Sequence, residues 1–83
     1  MRITVKLYAT LSEYLPSGSE GNVGTLTVPA SSTVKSVIKE LNVPLEMAHL
    51  VLVNGTFIAP EARSETVLRE GDTLALWPPV AGG

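Results

Sequence analysis

A single amphipathic segment, set among segments with the alternation or composition of strands, most constrains what this chain can fold into. Within residues 31–41, apolar side chains recur at positions i, i+3, i+4 and i+7, namely Val34, Val37, Ile38 and Leu41. That spacing places them on one face of an α-helix, so we predict a helix over residues 31–41. Ser32 is the expected N-cap, and no capping box is expected because Lys35 stands where Glu or Gln is needed. Asn42 and Pro44 end the helix.

Five short segments have the alternation or the composition of β-strands. They are residues 2–8, 25–28, 50–53, 56–59 and 73–77. Asn54-Gly55, between the third and fourth segments, accepts the positive φ angles of a type I′ turn and predicts a β-hairpin. Pro78 and Pro79 end the last strand, because neither has an N–H to donate. The remaining connections are a helical turn or two over residues 9–15 and loops over residues 16–24 and 60–70.

One helix laid across one mixed sheet is the simplest arrangement that buries all of these apolar faces. The apolar segment 73–77 suits a central strand. We therefore predict an α+β fold of the β-grasp, or ubiquitin-like, kind: a roll with a mixed sheet of about five strands and one main helix packed across it. The 83 residues allow one domain, residues 1–83, of which residues 78–83 form an extended C-terminal tail.

The composition argues against several function classes. Six basic and eight acidic residues are mixed along the chain and give a formal charge of −2, so no basic stripe for nucleic acid is present. No apolar run reaches the roughly 18 residues of a membrane span, and the start of the chain lacks the pattern of a signal peptide. We expect a cytoplasmic protein that contacts neither nucleic acid nor a membrane. With no cysteine, neither a thiolate metal site nor a Cys nucleophile is available.

The body of the chain offers no catalytic constellation. His49 is the only histidine, and no metal-ligating or orienting residue stands near it, so we interpret it as a strand-entry residue and expect no metal site. The glycines of residues 16–24 lead into a strand and no lysine follows them, unlike those of a phosphate-binding loop. Three glutamates within residues 60–70 are interspersed with Arg63 and Arg69, which indicates a solvated surface.

The C-terminal segment differs from the rest of the chain in composition. It runs Pro78-Pro79-Val80-Ala81-Gly82-Gly83. The two prolines favour a stiff polyproline conformation that projects the tail from the sheet, and six residues reach about 20 Å at most. Gly82 and Gly83 lack a Cβ, so they fit a narrow channel. Such a tail delivers the α-carboxylate of Gly83; the alternative is a frayed terminus without a role.

The last twelve residues, DTLALWPPVAGG, resemble the C-terminus of the small subunit of molybdopterin synthase. That family belongs to the ubiquitin-like sulfur carriers, which include the thiamine-biosynthesis carrier. The ending Pro-Pro-Val-Ala-Gly-Gly is specific for the molybdopterin branch, and the chain length also favours it. The segment LVLVNG, residues 50–55, is as close to the hairpin of the thiamine carrier. Residues 31–49 are more compact than is usual in the molybdopterin branch.

The resemblance implies a division of labour among several proteins. A ubiquitin-activating-type enzyme uses ATP and Mg to convert the Gly83 carboxylate into an acyl-adenylate, and a sulfur donor protein replaces AMP to leave a Gly83 thiocarboxylate. The molybdopterin synthase large subunit then receives the tail, and sulfur passes to a pterin precursor to form the dithiolene that holds molybdenum. On this interpretation the chain binds no cofactor and is not catalytic alone, but is the small, sulfur-donating subunit of an enzyme complex.

We expect partner contacts beside the tail, because apolar and aromatic anchors are what protein interfaces use. The candidates are Trp77, Pro78, Pro79, Val80 and Phe57. For Trp77 the alternative is packing within the sheet only. Three other functions stay open: a sulfur carrier for thiamine, cysteine, tRNA thiolation or a tungsten cofactor; a ubiquitin-like modifier whose Gly83 is joined to target lysines; and a non-covalent adaptor with an idle tail.

Overall fold

A mixed sheet with an α-helix packed across it forms the body of the protein. The structure, a computed structural model, describes residues 1–80. The strands are β1 (Arg2–Leu7), β2 (Val23–Thr27), β3 (Leu50–Val53), β4 (Thr56–Phe57) and β5 (Thr73–Trp77), and the helix is α1 (Val34–Glu40). Their order across the sheet is β2-β1-β5-β3-β4. β5 is parallel to β1 and antiparallel to β3.

This arrangement confirms the predicted α+β class and its β-grasp topology, with the C-terminal strand in the centre of the sheet. The helical turns predicted after β1 form the 3-10 helix Ala9–Tyr14. Two further 3-10 helices, Leu45–Met47 and Pro60–Ala62, lie in the connections on either side of the β3–β4 hairpin. Across residues 1–80, no helix has the length and apolar character needed to cross a bilayer.

The β3–β4 hairpin forms where the Asn-Gly pair predicted it. Asn54 and Gly55 have φ angles of 49° and 83°, the left-handed values of a type I′ turn. The Asn54 side chain also holds the start of β5, since its Nδ2 donates to Asp72 Oδ1 (2.9 Å) and its Oδ1 accepts from the Thr73 N–H (2.9 Å). β4 ends two residues earlier than predicted, because the chain turns there toward the 3-10 helix Pro60–Ala62.

The helix α1 begins later than predicted, and its cap differs. Thr33, not Ser32, is the N-cap: Thr33 Oγ1 accepts from the Ser36 N–H (3.1 Å), and Ser36 Oγ accepts from the Thr33 N–H (2.8 Å). The prediction that no capping box exists is therefore wrong. Ser32 is engaged elsewhere, because its hydroxyl donates to the Pro29 carbonyl (2.7 Å) and its own carbonyl accepts from the Leu68 N–H (2.8 Å).

The inner face of the sheet and α1 share one apolar core. The strand register sets Val5 beside Leu74, and Leu7 and Val51 on either side of Leu76. Burial of apolar surface contributes about 25 cal/mol per Å², so this layer supplies most of the driving force for folding. The largest fully buried side chains are Ile3, Leu7, Leu11, Ile38, Leu68, Leu74, Leu76, Val5, Val34, Val37 and Val51.

Two connections carry more structure than predicted. β2 begins two residues earlier than predicted, since Val23 and Gly24 already pair with Lys6 and Val5 of β1. Gly24 also lies so close to Ser19 that a Cβ would collide with the Ser19 hydroxyl. Residues 60–70 contain a 3-10 helix, and a β-bridge links Thr33 to Val67. This second connection therefore packs against the start of α1 and is more than a solvated loop.

Candidate partner surface and tail exit

The outer face of the sheet, opposite the core, carries apolar side chains on three adjacent strands. Alternation along β5 points Ala75 and Trp77 away from the core. The ladder sets Leu50 beside Trp77, and it sets Leu52 between Ala75 and Phe57. Together with the residue that follows β1, they form a surface that we call the outer apolar face: Tyr8, Leu50, Leu52, Phe57, Ala75 and Trp77.

Trp77 packs against Tyr8 within this face. The two rings are stacked, with their centroids 4.4 Å apart and their planes 5° from parallel. The Tyr8 N–H donates to the Leu76 carbonyl (3.1 Å), which continues the pairing of β1 with β5 up to the aromatic pair. Trp77 remains half-buried, so it packs in the sheet and still presents surface. Sequence reasoning missed Tyr8, although strand alternation after Leu7 places it on the same face.

The other apolar candidates are exposed. Phe57 is 55% exposed and Val80 is 75% exposed, and both are among the most accessible large apolar side chains of residues 1–80. Phe57 lies two strands from Trp77, in one cross-strand row with Leu52 and Ala75, and the next row holds Leu50 and Trp77. Within the outer apolar face, Phe57 is exposed, Ala75 is buried, and the other four side chains are half-buried. A set of adjoining apolar side chains that stays partly accessible is typical of a protein interaction site.

The tail leaves the sheet from the end of β5. The Trp77 carbonyl accepts from the His49 N–H (3.0 Å), and this is the final backbone bond of β5 within residues 1–80. Pro78 is half-buried, whereas Pro79 and Val80 are exposed. The other predicted tail residues, Ala81, Gly82 and Gly83 with its carboxylate, lie outside the described residues.

Arg63 is buried, and the prediction that it lies on a solvated surface is wrong. It is 8% exposed, and it is the buried charged residue of the described chain. Its Nη1 donates to the Ala48 carbonyl (2.6 Å), its Nη2 to the His49 carbonyl (3.1 Å) and its Nε to the Ile58 carbonyl (3.3 Å). Burial lowers the pKa of the Arg63 guanidinium, and the nearby Glu61 carboxylate partly opposes this. These carbonyls bracket the β3–β4 hairpin on both sides.

The main chain around Arg63 also supports the start of α1. The Arg63 carbonyl accepts from the Lys35 N–H (3.0 Å), and the Thr66 carbonyl accepts from the Val34 N–H (3.0 Å). These are N–H groups of the first helical turn, which have no partner inside the helix. Residues 63–66 thus link two elements: their carbonyls bind the first turn of α1, and the Arg63 guanidinium binds the ends of the β3–β4 hairpin.

The remaining polar candidates have structural surroundings. His49 directly precedes β3, as predicted for a strand-entry residue. Glu70 Oε1 accepts from the Arg2 N–H (2.9 Å), and Asp72 Oδ2 accepts from the Arg69 N–H (2.8 Å) in the turn before β5. Glu61 and Glu65 are exposed. No group of three or more His, Cys, Asp or Glu side chains that could hold a metal ion occurs in residues 1–80.

A central C-terminal strand that is parallel to β1, covered by one helix and continued by an exposed tail, defines the ubiquitin-like β-grasp proteins. The sequence matches the ThiS family over residues 5–83, and the chain belongs to this family. No curated protein matches it. It is accordingly a ubiquitin-fold protein of the type that comprises sulfur carriers and modifiers.

Solved structures from three branches share the fold. SAMP1 of Haloferax volcanii, a small archaeal modifier protein, is 28% identical with a TM-score of 0.69, and the match covers 100% of both chains. The thiamine biosynthesis protein ThiS of Geobacter metallireducens is 23% identical with a TM-score of 0.67, also over 100% of both chains. The complex of subunits 1 and 2 of the molybdopterin-converting factor of Helicobacter pylori gives 18% identity and a TM-score of 0.61 over 100% of both chains.

Proposed function

We propose that this protein is a sulfur carrier whose Gly83 α-carboxylate is adenylated by a partner enzyme, converted to a thiocarboxylate, and used to donate sulfur in molybdopterin biosynthesis. The observation that carries the proposal is the exit of the tail. The central strand ends at Trp77, and the sequence continues through Pro78-Pro79 to Gly82-Gly83. A short tail that projects from a rigid sheet is suited to delivering a carboxylate into the active site of another protein.

The chemistry divides into two steps, each with its own leaving group. In the first, a Gly83 carboxylate oxygen attacks the α-phosphorus of ATP bound with Mg in a ubiquitin-activating-type enzyme. Pyrophosphate leaves, and an acyl-adenylate forms. In the second, sulfur at the hydrosulfide level from a donor protein attacks the Gly83 carbonyl carbon. The bond to AMP breaks, and a thiocarboxylate remains.

The outer apolar face and Val80 are the surfaces that the partners would contact. Both are apolar and adjoin the tail, so a partner that docks on the face receives the tail in the same event. Trp77 and Tyr8 form a large aromatic anchor, and residues of this type dominate the energetics of interfaces. We assign the activating enzyme and the molybdopterin synthase large subunit to this face.

The molybdopterin pathway is favoured by the ending Pro-Pro-Val-Ala-Gly-Gly and by the likeness to the Helicobacter pylori converting factor, in which subunits 1 and 2 form a complex. A second candidate function is protein modification, in which Gly83 is joined to target lysines. The identity to SAMP1, at 28%, favours it. Both functions share the adenylation step and differ in what attacks the activated carbonyl.

Reconstitution tests the proposal. The chain is incubated with Mg-ATP and the activating enzyme of its own host, and pyrophosphate release is followed together with the mass of the C-terminal peptide. We expect release only when both proteins are present, and one oxygen-to-sulfur exchange at Gly83 once a sulfur donor is added. The matched control is a chain that lacks Gly82-Gly83. Capture of the host's large subunit supports the molybdopterin pathway, whereas isopeptide-linked products on host proteins support modification.

A further inference from the structure

We infer that Arg63 is a positioning residue for the tail: its buried guanidinium fixes the entry to β3, and this entry in turn holds the point where the tail leaves β5. The inference rests on the proposed function, because the reaction that it serves takes place at Gly83. Arg63 itself touches neither partner nor substrate on this account. It acts through the backbone of His49.

His49 connects the guanidinium to the tail. Its carbonyl accepts from Arg63 Nη2 (3.1 Å), while its N–H donates to the Trp77 carbonyl (3.0 Å). The preceding carbonyl, that of Ala48, accepts from Nη1 at 2.6 Å in a buried position. The Arg63 side chain therefore holds both peptide units of His49, and the first of them carries the N–H that pairs with the Trp77 carbonyl, one residue before Pro78.

The planar guanidinium of arginine, with several N–H donors, can bind three carbonyls at once, whereas a single ammonium group cannot. Arginine presents five N–H donors in a fixed geometry, which lets it bind the Ala48, His49 and Ile58 carbonyls at once. Lysine concentrates its donors on one atom at the end of a flexible stem. A charge at this position is therefore insufficient, and the shape of the guanidinium carries the effect.

The side chain and the main chain of Arg63 have separable roles. The support that it gives to α1 comes from its backbone carbonyl, which binds the Lys35 N–H and survives any side-chain substitution. The guanidinium donates its hydrogen bonds to carbonyls beside the β3–β4 hairpin. Replacing the side chain therefore perturbs the β3 entry and the tail exit while the cap of α1 keeps its partners.

The experiment compares Arg63→Lys and Arg63→Met with two controls. Arg69→Met removes an exposed arginine, and Val37→Ala destabilises the fold from the helix side of the core. For each folded variant, hydrogen exchange at the His49 amide is measured, together with kcat and KM for pyrophosphate release with Mg-ATP and the host's activating enzyme. Thermal melts set a temperature at which every variant is fully folded.

We expect faster exchange at His49 in both Arg63 variants, and a kcat lower by about tenfold. A misplacement of about 1 Å can cost about a hundredfold in a positioned reaction, so a smaller displacement is enough for a loss of about tenfold. KM for the chain should change by less than about twofold, because the outer apolar face that docks is intact. Val37→Ala should leave kcat unchanged even if it lowers the melting temperature as much as the Arg63 variants do.

Three results would overturn the inference. They are unchanged exchange at His49, an unchanged kcat in Arg63→Lys and Arg63→Met, and an equal loss of kcat in Val37→Ala. The last would mean that Arg63 contributes through global stability alone. A wild-type chain that releases no pyrophosphate contradicts the proposed function itself, and the role of Arg63 falls with it. The two failures are thus distinguishable by the wild-type reaction.

Discussion

The stacked Tyr8–Trp77 pair allows a quantitative test of how the tail exit is built. Centroids 4.4 Å apart and nearly parallel rings describe direct stacking, which contributes about 0.5–1.5 kcal/mol beyond burial. We predict a coupling energy of about 1 kcal/mol in a double-mutant cycle made of Tyr8→Ala, Trp77→Ala and the double variant. The backbone bonds of both residues, Tyr8 N–H to Leu76 and His49 N–H to Trp77, are unaffected by these changes.

The individual losses are also bounded by the structure. Both rings are half-buried, so each single substitution should cost less than the 3–5 kcal/mol of a fully buried aromatic, and we expect about 2 kcal/mol for Trp77→Ala. In a domain of this size, 1 kcal/mol lowers the melting temperature by about 4–8 °C. Urea unfolding followed by far-UV circular dichroism measures the cycle, because it does not depend on Trp fluorescence, which the two variants that carry Trp77→Ala lack.

A second cycle provides the control. Tyr8→Ala is combined with Phe57→Ala, which lies on the same outer apolar face but three strands away, about 14 Å at the usual strand spacing. This pair should be additive within about 0.3–0.5 kcal/mol. If the Tyr8–Trp77 coupling is no larger than that of the control pair, the stack does not hold Trp77 in place.

Three further predictions concern the strained turn, the interface and the tail. Ala9→Gly should stabilise the protein by about 1 kcal/mol, since Ala9 has a φ angle of 52° that a Cβ disfavours; a lower urea midpoint would contradict this. Val80→Asp should leave the thermal transition unchanged but weaken binding of the large subunit measurably by titration calorimetry, because Val80 is 75% exposed; equal affinity would remove Val80 from the interface. Deleting Gly82-Gly83 should change the free energy of unfolding by less than about 0.5 kcal/mol. It should also abolish adenylation, because the new C-terminal carboxylate falls about 7 Å short of the position of the original one. Adenylation of the shortened chain would contradict a role for the tail length.

Features set by local chemistry were predictable from the sequence. Asn54-Gly55 specifies its turn through the φ angles that these two residues accept, so the hairpin was located correctly. The apolar run of residues 73–77 indicated a central strand because side chains buried beside two neighbours leave few polar positions. The helix was located by its apolar stripe, which depends only on spacing.

Features set by contacts between distant residues were not predictable. Ser32 and Thr33 are adjacent hydroxyl residues that both suit an N-cap by type. In the structure Ser32 is bonded to Pro29 and to Leu68, which is distant in sequence, and Thr33 caps the helix. The burial of Arg63 depends on carbonyls 14 and 15 residues away, at His49 and Ala48, which no local pattern reveals. The role expected for the tail stays a prediction, because Ala81, Gly82 and Gly83 lie outside the described residues.

The most direct test of the central claim is the intact mass of the protein isolated from its native host. If the chain is a sulfur carrier, a population is heavier by one oxygen-to-sulfur exchange, and fragmentation assigns the change to Gly83. Alkylation by a thiol-specific reagent before analysis should shift only this population, since the chain has no cysteine. A chain that carries an unmodified Gly83 carboxylate under conditions in which the host makes its sulfur-containing cofactors would contradict the account.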